Sequence, residues 1–348
     1  MNFMDMQHLR SGGSWTPSPD GSWMLYTVST PDWEEEERQS DIHVVSLSEG
    51  VESSRQLTFT DDHDETSPAW APDGSFFVFR SDRDGGRSEG DVEEEGGRWQ
   101  LYTMRHDGGE ARKITEMADG VADFDFSPDG SWLVLRSGES GEEQLFRLPT
   151  TQLLDAEPVR LTTAEAGVED WDWSPDGRLI YFNRPDSFDS ADKRRREEGF
   201  SVDVRNQITP VRSLWSVEVA NGSERRLTSE TDYSVDGFVV SDDGRWLSIT
   251  GGSPERYERN ITGARLYTDQ YLMEVATGHV ERLTENYEVS ESGTSFSPDG
   301  RWIAFAGPDD LSRYTMTERR IYLRAVDDRG GDFRKLGSSF DQSLSVGF

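Results

Sequence analysis

Ser127-Pro128-Asp129-Gly130-Ser131-Trp132-Leu133-Val134-Leu135 is one of six renderings of a single pattern, a tight turn followed by an apolar run. The turn recurs as Ser18-Pro19-Asp20-Gly21, Ala71-Pro72-Asp73-Gly74, Ser174-Pro175-Asp176-Gly177, Ser241-Asp242-Asp243-Gly244 and Ser297-Pro298-Asp299-Gly300. The third-position aspartates stand 53, 56, 47, 67 and 56 residues apart. A period of this size with one tight turn per unit indicates an array of small sheets, not one continuous core. The turn chemistry is legible. Serine can hydrogen-bond to the following backbone, proline fixes φ near about −65°, and glycine suits the exit of a type I turn.

The runs after the turns, such as Trp23-Met24-Leu25-Tyr26, Phe76-Phe77-Val78-Phe79 and Trp302-Ile303-Ala304-Phe305, are short and aromatic or branched, so they read as strands. Another strand follows in each unit, for example Gln100-Leu101-Tyr102-Thr103 and Leu214-Trp215-Ser216-Val217. Hairpin signals come next at Asp107-Gly108-Gly109, Asn221-Gly222 and Thr277-Gly278, where an Asn-Gly pair implies positive φ at both residues. The unit closes on a second phrase: Arg55-Gln56-Leu57-Thr58, Arg112-Lys113-Ile114-Thr115, Val159-Arg160-Leu161-Thr162, Arg225-Arg226-Leu227-Thr228, Glu281-Arg282-Leu283-Thr284 and Phe333-Arg334-Lys335-Leu336. Before each turn lies the first strand, as in Asp123-Phe124-Asp125-Phe126 and Asp170-Trp171-Asp172-Trp173.

Four antiparallel strands per unit, repeated, predict an all-β fold, a β-propeller of four-stranded blades. A linear stack of sheets is the alternative, and the aromatic inner strands fit a radial array better. The units fall at 14–58, 66–115, 121–162, 168–228, 233–284 and 292–336, and residues 342–348 read as the first strand of a seventh blade. One propeller domain over 1–348 is expected.

The chain carries 68 acidic and 36 basic residues, a net charge of −32, and three lysines. Such a surface repels phosphate backbones, which argues against nucleic acid as a partner. Acid-rich, lysine-poor composition reads as simple solubility or, more pointedly, as adaptation to high salt, where self-repulsion is screened. There is no cysteine, so disulfides, iron–sulfur clusters and thiol catalysis are excluded. No run has the length to span a bilayer. The first residues lack a secretory pattern, and a cytoplasmic protein that does not engage a membrane is expected.

Candidate chemistry is sparse. The runs Asp61-Asp62-His63-Asp64-Glu65 and Trp33-Glu34-Glu35-Glu36-Glu37 lack the alternation and central glycine of a calcium loop, so no metal site is expected. Gly86-Arg87-Ser88-Glu89-Gly90 matches a nucleophile elbow in letters but has no apolar strand before it and no helix signal after it. Of five histidines, His63, just before a first strand, is the one worth following. No catalytic residue and no cofactor are read from the sequence. Asp and Gly are adjacent in every turn, which also argues against a sialidase Asp-box.

The Ser-Pro-Asp-Gly-x-Trp turn together with the Arg-x-Leu-Thr strand end resembles the TolB-like propeller repeat. More specifically, the chain resembles the N-terminal propeller of prolyl oligopeptidase-family serine peptidases of the acylaminoacyl-peptidase and dipeptidyl-peptidase kind. Tyr26–Thr30 with Ser40-Asp41-Ile42, Phe79–Asp84 and the charged insert from Asp186 to Phe200 carry that likeness. It implies a C-terminal α/β-hydrolase domain as partner, missing from these residues or on another chain, and a peptide substrate. On that basis the 348 residues are expected to be a fragment of a longer enzyme or one product of a split gene, without peptidase activity of their own. A free-standing propeller scaffold for protein–protein interaction is the other reading. The family uses propeller glutamates to hold a substrate's amino terminus, and Glu197-Glu198 is the pair in a comparable insert. It follows Arg194-Arg195-Arg196 and lacks the family's aromatic lead-in, so a charged loop paired internally is its other reading. Arg256-Tyr257-Glu258-Arg259 combines two cationic forks, an aromatic ring and a carboxylate, which suits gripping a peptide terminus or a domain interface. In an up-and-down blade the second-to-third loops share one end with the start of the first strand. The hydrolase domain is therefore expected over the loops Pro31–Gln39, Ser81–Arg98, Asn183–Arg212, Gly251–Arg265 and Gly307–Glu318.

Overall fold

A computed structural model describes residues 8–32, 37–60, 63–83, 99–187, 193–195, 198–200, 209–229, 233–254, 268–284, 291–310 and 317–346. They form six four-stranded antiparallel sheets, each with its strands in chain order. Blade 1 comprises Ser11–Pro17, Trp23–Asp32, Glu37–Ser46 and Arg55–Gln56, and blade 2 Glu65–Trp70, Phe77–Ser81, Gln100–Met104 and Arg112–Lys113. Blade 3 comprises Asp123–Phe126, Trp132–Ser137, Gln144–Pro149 and Val159–Arg160. Blade 4 comprises Asp170–Trp173, Leu179–Pro185, Arg212–Glu218 and Ser223–Arg226, and blade 5 Ser234–Val240, Trp246–Gly252, Asp269–Glu274 and His279–Arg282. Blade 6 comprises Ser292–Phe296, Trp302–Pro308, Arg319–Ala325 and Arg334–Leu336. The fold is an all-β propeller architecture, with one repeat of the turn phrase per blade. Residues 1–163 form one compact unit containing blades 1–3, and residues 164–348 another containing blades 4–6.

The second strands are buried almost throughout, as in Phe77–Ser81 and Trp246–Gly252. A strand covered on both faces must be continuously apolar, which explains why these runs do not alternate. The cover comes from the neighbouring blade of the same unit. Leu25, Ile42, Val44 and Leu57 of blade 1 pack on Trp70, Phe77, Phe79 and Tyr102 of blade 2. Trp246, Leu272 and Leu283 of blade 5 pack on Phe296, Ile303 and Val326 of blade 6.

The turn phrase is a closed hydrogen-bond circuit. In its five serine-bearing copies the serine Oγ donates to the aspartate at 2.6–2.7 Å. The same Oγ accepts the backbone N–H five residues on at 2.9–3.0 Å. Aspartate Oδ1 accepts the N–H two residues on at 3.0–3.1 Å. The serine hydrogen bond, aided by the backbone donor, holds the carboxyls of Asp20 and Asp299 at about 2. Because these values are depressed in the folded state, the stabilisation is complete above the ordinary carboxylate range and disappears as pH falls toward 2.

The turn glycines take φ of +66° to +72°, a conformation that costs a side chain about 1–2 kcal/mol. At Gly130 an added Cβ would also lie 3.3 Å from Pro72 Cβ of the preceding blade's turn, whereas at Gly21 it would meet nothing within 4 Å. Gly130→Ala is therefore expected to lower the urea midpoint more than Gly21→Ala. Equal shifts would show that the turn-to-turn contact contributes nothing.

The second phrase has its own role. The threonine of Arg-x-Leu-Thr lies beyond the last strand residue and reaches across to the third strand. Thr58, Thr115, Thr162 and Thr228 each accept, at 2.9–3.0 Å, the N–H of Ile42, Leu101, Leu145 and Leu214 respectively. Thr115 and Thr162 also donate to Gln100 and Gln144 at 2.9 and 2.8 Å. The motif thus clamps the outer edge of the blade, where the fourth strand is as short as two residues.

Two sequence expectations change in detail. The Asn221-Gly222 hairpin is not a two-residue turn with positive φ at both positions; Gly222 alone takes positive φ. Its N–H reaches back to the Glu218 carbonyl at 2.8 Å, giving a four-residue loop. The segment read as the first strand of a seventh blade carries no strand over 342–346, and residues 347 and 348 lie outside the described set. It folds back on blade 6 instead. Leu344 N–H donates to the Arg319 carbonyl at 3.0 Å, and the buried Arg320 guanidinium donates to the carbonyls of Phe340 and Gln342 at 2.9 and 3.0 Å.

Candidate functional site

The loop-bearing end of each blade is a candidate functional surface. In every blade the start of the first strand, the end of the second, the start of the third and the end of the fourth share one end of the sheet. The long second-to-third connections emerge there. This end carries carboxylates and arginines from the adjoining strand ends and starts, and they meet in pairs.

Buried Glu65 pairs with Arg83 at 2.9 Å in blade 2, and Asp123 with Arg136 at 2.6 Å in blade 3. In blade 4 Asp186 meets Arg226 at 2.6 Å, and Glu169 meets Arg212 at 2.5 Å. Asp269 pairs with Arg282 at 2.7 Å in blade 5, and Asp309 with Arg320 at 3.3 Å in blade 6. Burial raises the Glu65 carboxyl, opposed by donors from Thr60, Arg83 and Ser81. Burial likewise raises Asp269 despite Arg282 beside it. On the first strand of blade 4, burial raises Asp172, and the charge of Asp170 adds to the effect. The carboxylates here are thus pinned and partly desolvated, and they present fixed acceptors and neutralised forks where the loops begin.

His63, singled out by sequence, lies at this end of blade 2 with Nδ1 3.4 Å from Asp82 Oδ1. Asp82 Oδ1 also accepts the Asp64 N–H at 2.8 Å, and Asp64 Oδ1 accepts the Ser40 N–H at 2.6 Å. Asp82 thus closes the end of the blade, and Asp64 ties it to blade 1.

Arg256, Tyr257, Glu258, Arg259 and Glu197 lie outside the described residues, as does the loop with Ser88. Glu198 is described. It sits in an exposed turn, its N–H donating to the Arg194 carbonyl at 3.0 Å and its carboxylate 4.0 Å from Arg194 Nε. The Arg–carboxylate pairs were not read from the sequence, although one signal was present: Arg226 and Arg282 are the arginines of the Arg-Leu-Thr phrase. Among the described residues there is no group of three or more potential metal ligands, and no helix is long and apolar enough to cross a membrane.

No family model matches the chain. It is 31% identical over 144 residues to the uncharacterized peptidase YuxL of Bacillus subtilis, covering 41% of this chain and 20% of that protein. It is 22% identical over 294 residues to dipeptidyl-peptidase 5 of Porphyromonas endodontalis, covering 84% of this chain and 36% of that protein. The chain thus spans a fifth to about a third of the length of these relatives. Among solved structures, a prolyl endopeptidase superposes over 94% of this chain and 42% of its own, with a TM-score of 0.61 at 14% identity. The β-propeller domain of the Trilobed protease from Pyrococcus furiosus superposes over 90% of this chain and 80% of its own, with a TM-score of 0.52 at 13% identity. By sequence this chain is a relative of peptidases, and by fold it is a β-propeller of the kind peptidases contain.

Proposed function

We propose that this propeller is the non-catalytic, substrate-gating and docking part of a serine peptidase that acts on short peptides, with an α/β-hydrolase domain seated over the loop-bearing blade ends. The supporting observation is the extended likeness to two peptidases, over a fold whose long connections all leave the blades at the end lined by pinned Arg–carboxylate pairs. Long loops on a scaffold of pinned strands are the division of labour expected where a scaffold presents specificity elements. Arg256, Tyr257, Glu258 and Arg259, with Glu197 and Glu198, are the proposed contacts for a peptide terminus or for the catalytic domain.

In the intact peptidase, Arg256→Ala combined with Arg259→Ala is expected to raise KM for short peptides about tenfold, the loss of one charge-assisted contact, with kcat little changed. Unchanged kinetics would remove these arginines from the reading. Peptide hydrolysis by the purified 348-residue chain would overturn the non-catalytic assignment. The likeness to peptidases favours this reading over a free-standing scaffold.

The charge of −32 supports a further part of the proposal, a protein adapted to high salt. Screening of self-repulsion is expected to raise the melting temperature between low and multimolar potassium chloride. The same Tm in both would end that idea.

A further inference from the structure

Independently of the reading above, and at the opposite, turn-bearing ends of blades 1 and 2, lies a cavity of about 340 Å³ walled by Trp23, Trp70 and His106 and rimmed by Asp20 and Asp73. We propose that this cavity is a binding site for an organic ammonium group.

Its walls are aromatic and fixed. The His106 ring lies between the two indoles, with its centroid 5.3 Å from each. Trp70 Nε1–H donates to the Thr16 carbonyl at 3.1 Å, and the Trp23 backbone N–H is held by Ser18 Oγ at 2.9 Å. Arg55 donates to the His106 carbonyl at 2.5 Å, and the neighbouring Arg105 is taken up by Asp107 at 2.7 Å. The Trp70 ring and the backbones of Trp23 and His106 are therefore held before any ligand arrives, and the quadrupoles of the indole rings attract a cation.

The rim is anionic and equally fixed. Asp20 Oδ1 accepts the Ser22 N–H at 3.0 Å, and Asp73 Oδ1 accepts the Ser75 N–H at 2.9 Å. These donors, with the serine hydroxyls, keep both carboxyls below the usual carboxylate range and so ionised at neutral pH. His106 Nδ1 is buried and has no hydrogen-bond partner among the described residues.

The ligand class follows by elimination. An anion meets two carboxylates. A neutral apolar molecule fills the aromatic walls but brings no counter-charge to the two carboxylates. An alkylammonium answers the walls through cation–π attraction and the rim through charge. A small quaternary amine and a lysine side chain share that chemistry.

Calorimetric titration of the full 348-residue chain at low salt tests the site with choline, with its neutral isostere 3,3-dimethylbutanol, and with acetyl-Gly-Lys-Gly-amide. Choline or the lysyl peptide is expected to bind about tenfold more tightly than the neutral isostere, the factor that one desolvated cation–π contact supplies. The tighter of the two identifies the source of the ammonium. Trp23→Leu and, separately, Asp73→Asn are each expected to weaken that binding about fivefold or more, in proteins whose circular dichroism and Tm match the parent. The proposal is overturned if neither choline nor the lysyl peptide binds more tightly than the neutral isostere, or if folded variants bind the tighter cation like the parent.

Discussion

Glu281→Ala is expected to destabilise the protein by about 3–5 kcal/mol, the range for removing one partner of a buried ion pair. Glu281 ends blade 5, and its Oε1 accepts from Arg324 of blade 6 at 2.8 Å and from the Gly330 N–H at 3.0 Å. The Arg324 side chain is 2% exposed and lies 4.8 Å over the Phe333 ring. Without Glu281 its charge stays buried and uncompensated, which is far costlier than losing a surface pair. Replacing both partners by apolar residues, Glu281→Leu with Arg324→Met, is expected to recover most of the loss, because the desolvation cost disappears with the charge. Burial by itself would raise the Glu281 carboxyl, but the donors from Arg324 and Gly330 and the charges of Arg324 and Arg329 outweigh it and leave the group below its ordinary value. The pair's contribution is therefore present above the unfolded carboxylate value and lost as pH falls through the depressed one. Urea unfolding of the single and double variants at neutral and acid pH checks all three statements. A single-variant loss under about 1 kcal/mol would reclassify the pair as a surface contact.

Thr162→Val is expected to cost about 1–3 kcal/mol, because it orphans the Leu145 N–H in a buried site. Thr162 is fully buried, accepts that N–H at 3.0 Å and donates to Gln144 Oε1 at 2.8 Å. Valine keeps the shape and removes both bonds, so packing is not the variable. Thr162→Ser, which retains the hydroxyl, should return most of the stability. Hydrogen exchange supplies a local readout: the Leu145 amide should lose protection in the valine variant and keep it in the serine variant. A valine variant as stable as the parent would show that the Arg-x-Leu-Thr threonine is not the blade clamp.

The fold was readable because its information is local. A proline in five copies, the Asp–Ser pair in five and a positive-φ glycine in all six define the turns within four residues. The apolar run after Gly21, Gly74 or Gly130 announces a strand buried on both faces. What lay beyond reading depends on partners distant in sequence. Thr162 acts on Leu145, Glu281 on Arg324, and Arg320 on Phe340 and Gln342. The Asn221-Gly222 turn was misjudged in type because loop length, set by where the Glu218 strand ends, decides which residue needs positive φ.

By itself, then, the sequence determined the six four-stranded units, their strand order and the chemistry of their turns, since turn propensity and apolar period act over a few residues. Tertiary structure alone decided which carboxylate faces which arginine, where residues 342–346 lie, and that Trp23, Trp70 and His106 meet beside Asp20 and Asp73. The physical reason is that burial, charge pairing and ring stacking are properties of side chains brought together from separate strands and blades. No local pattern encodes those distances.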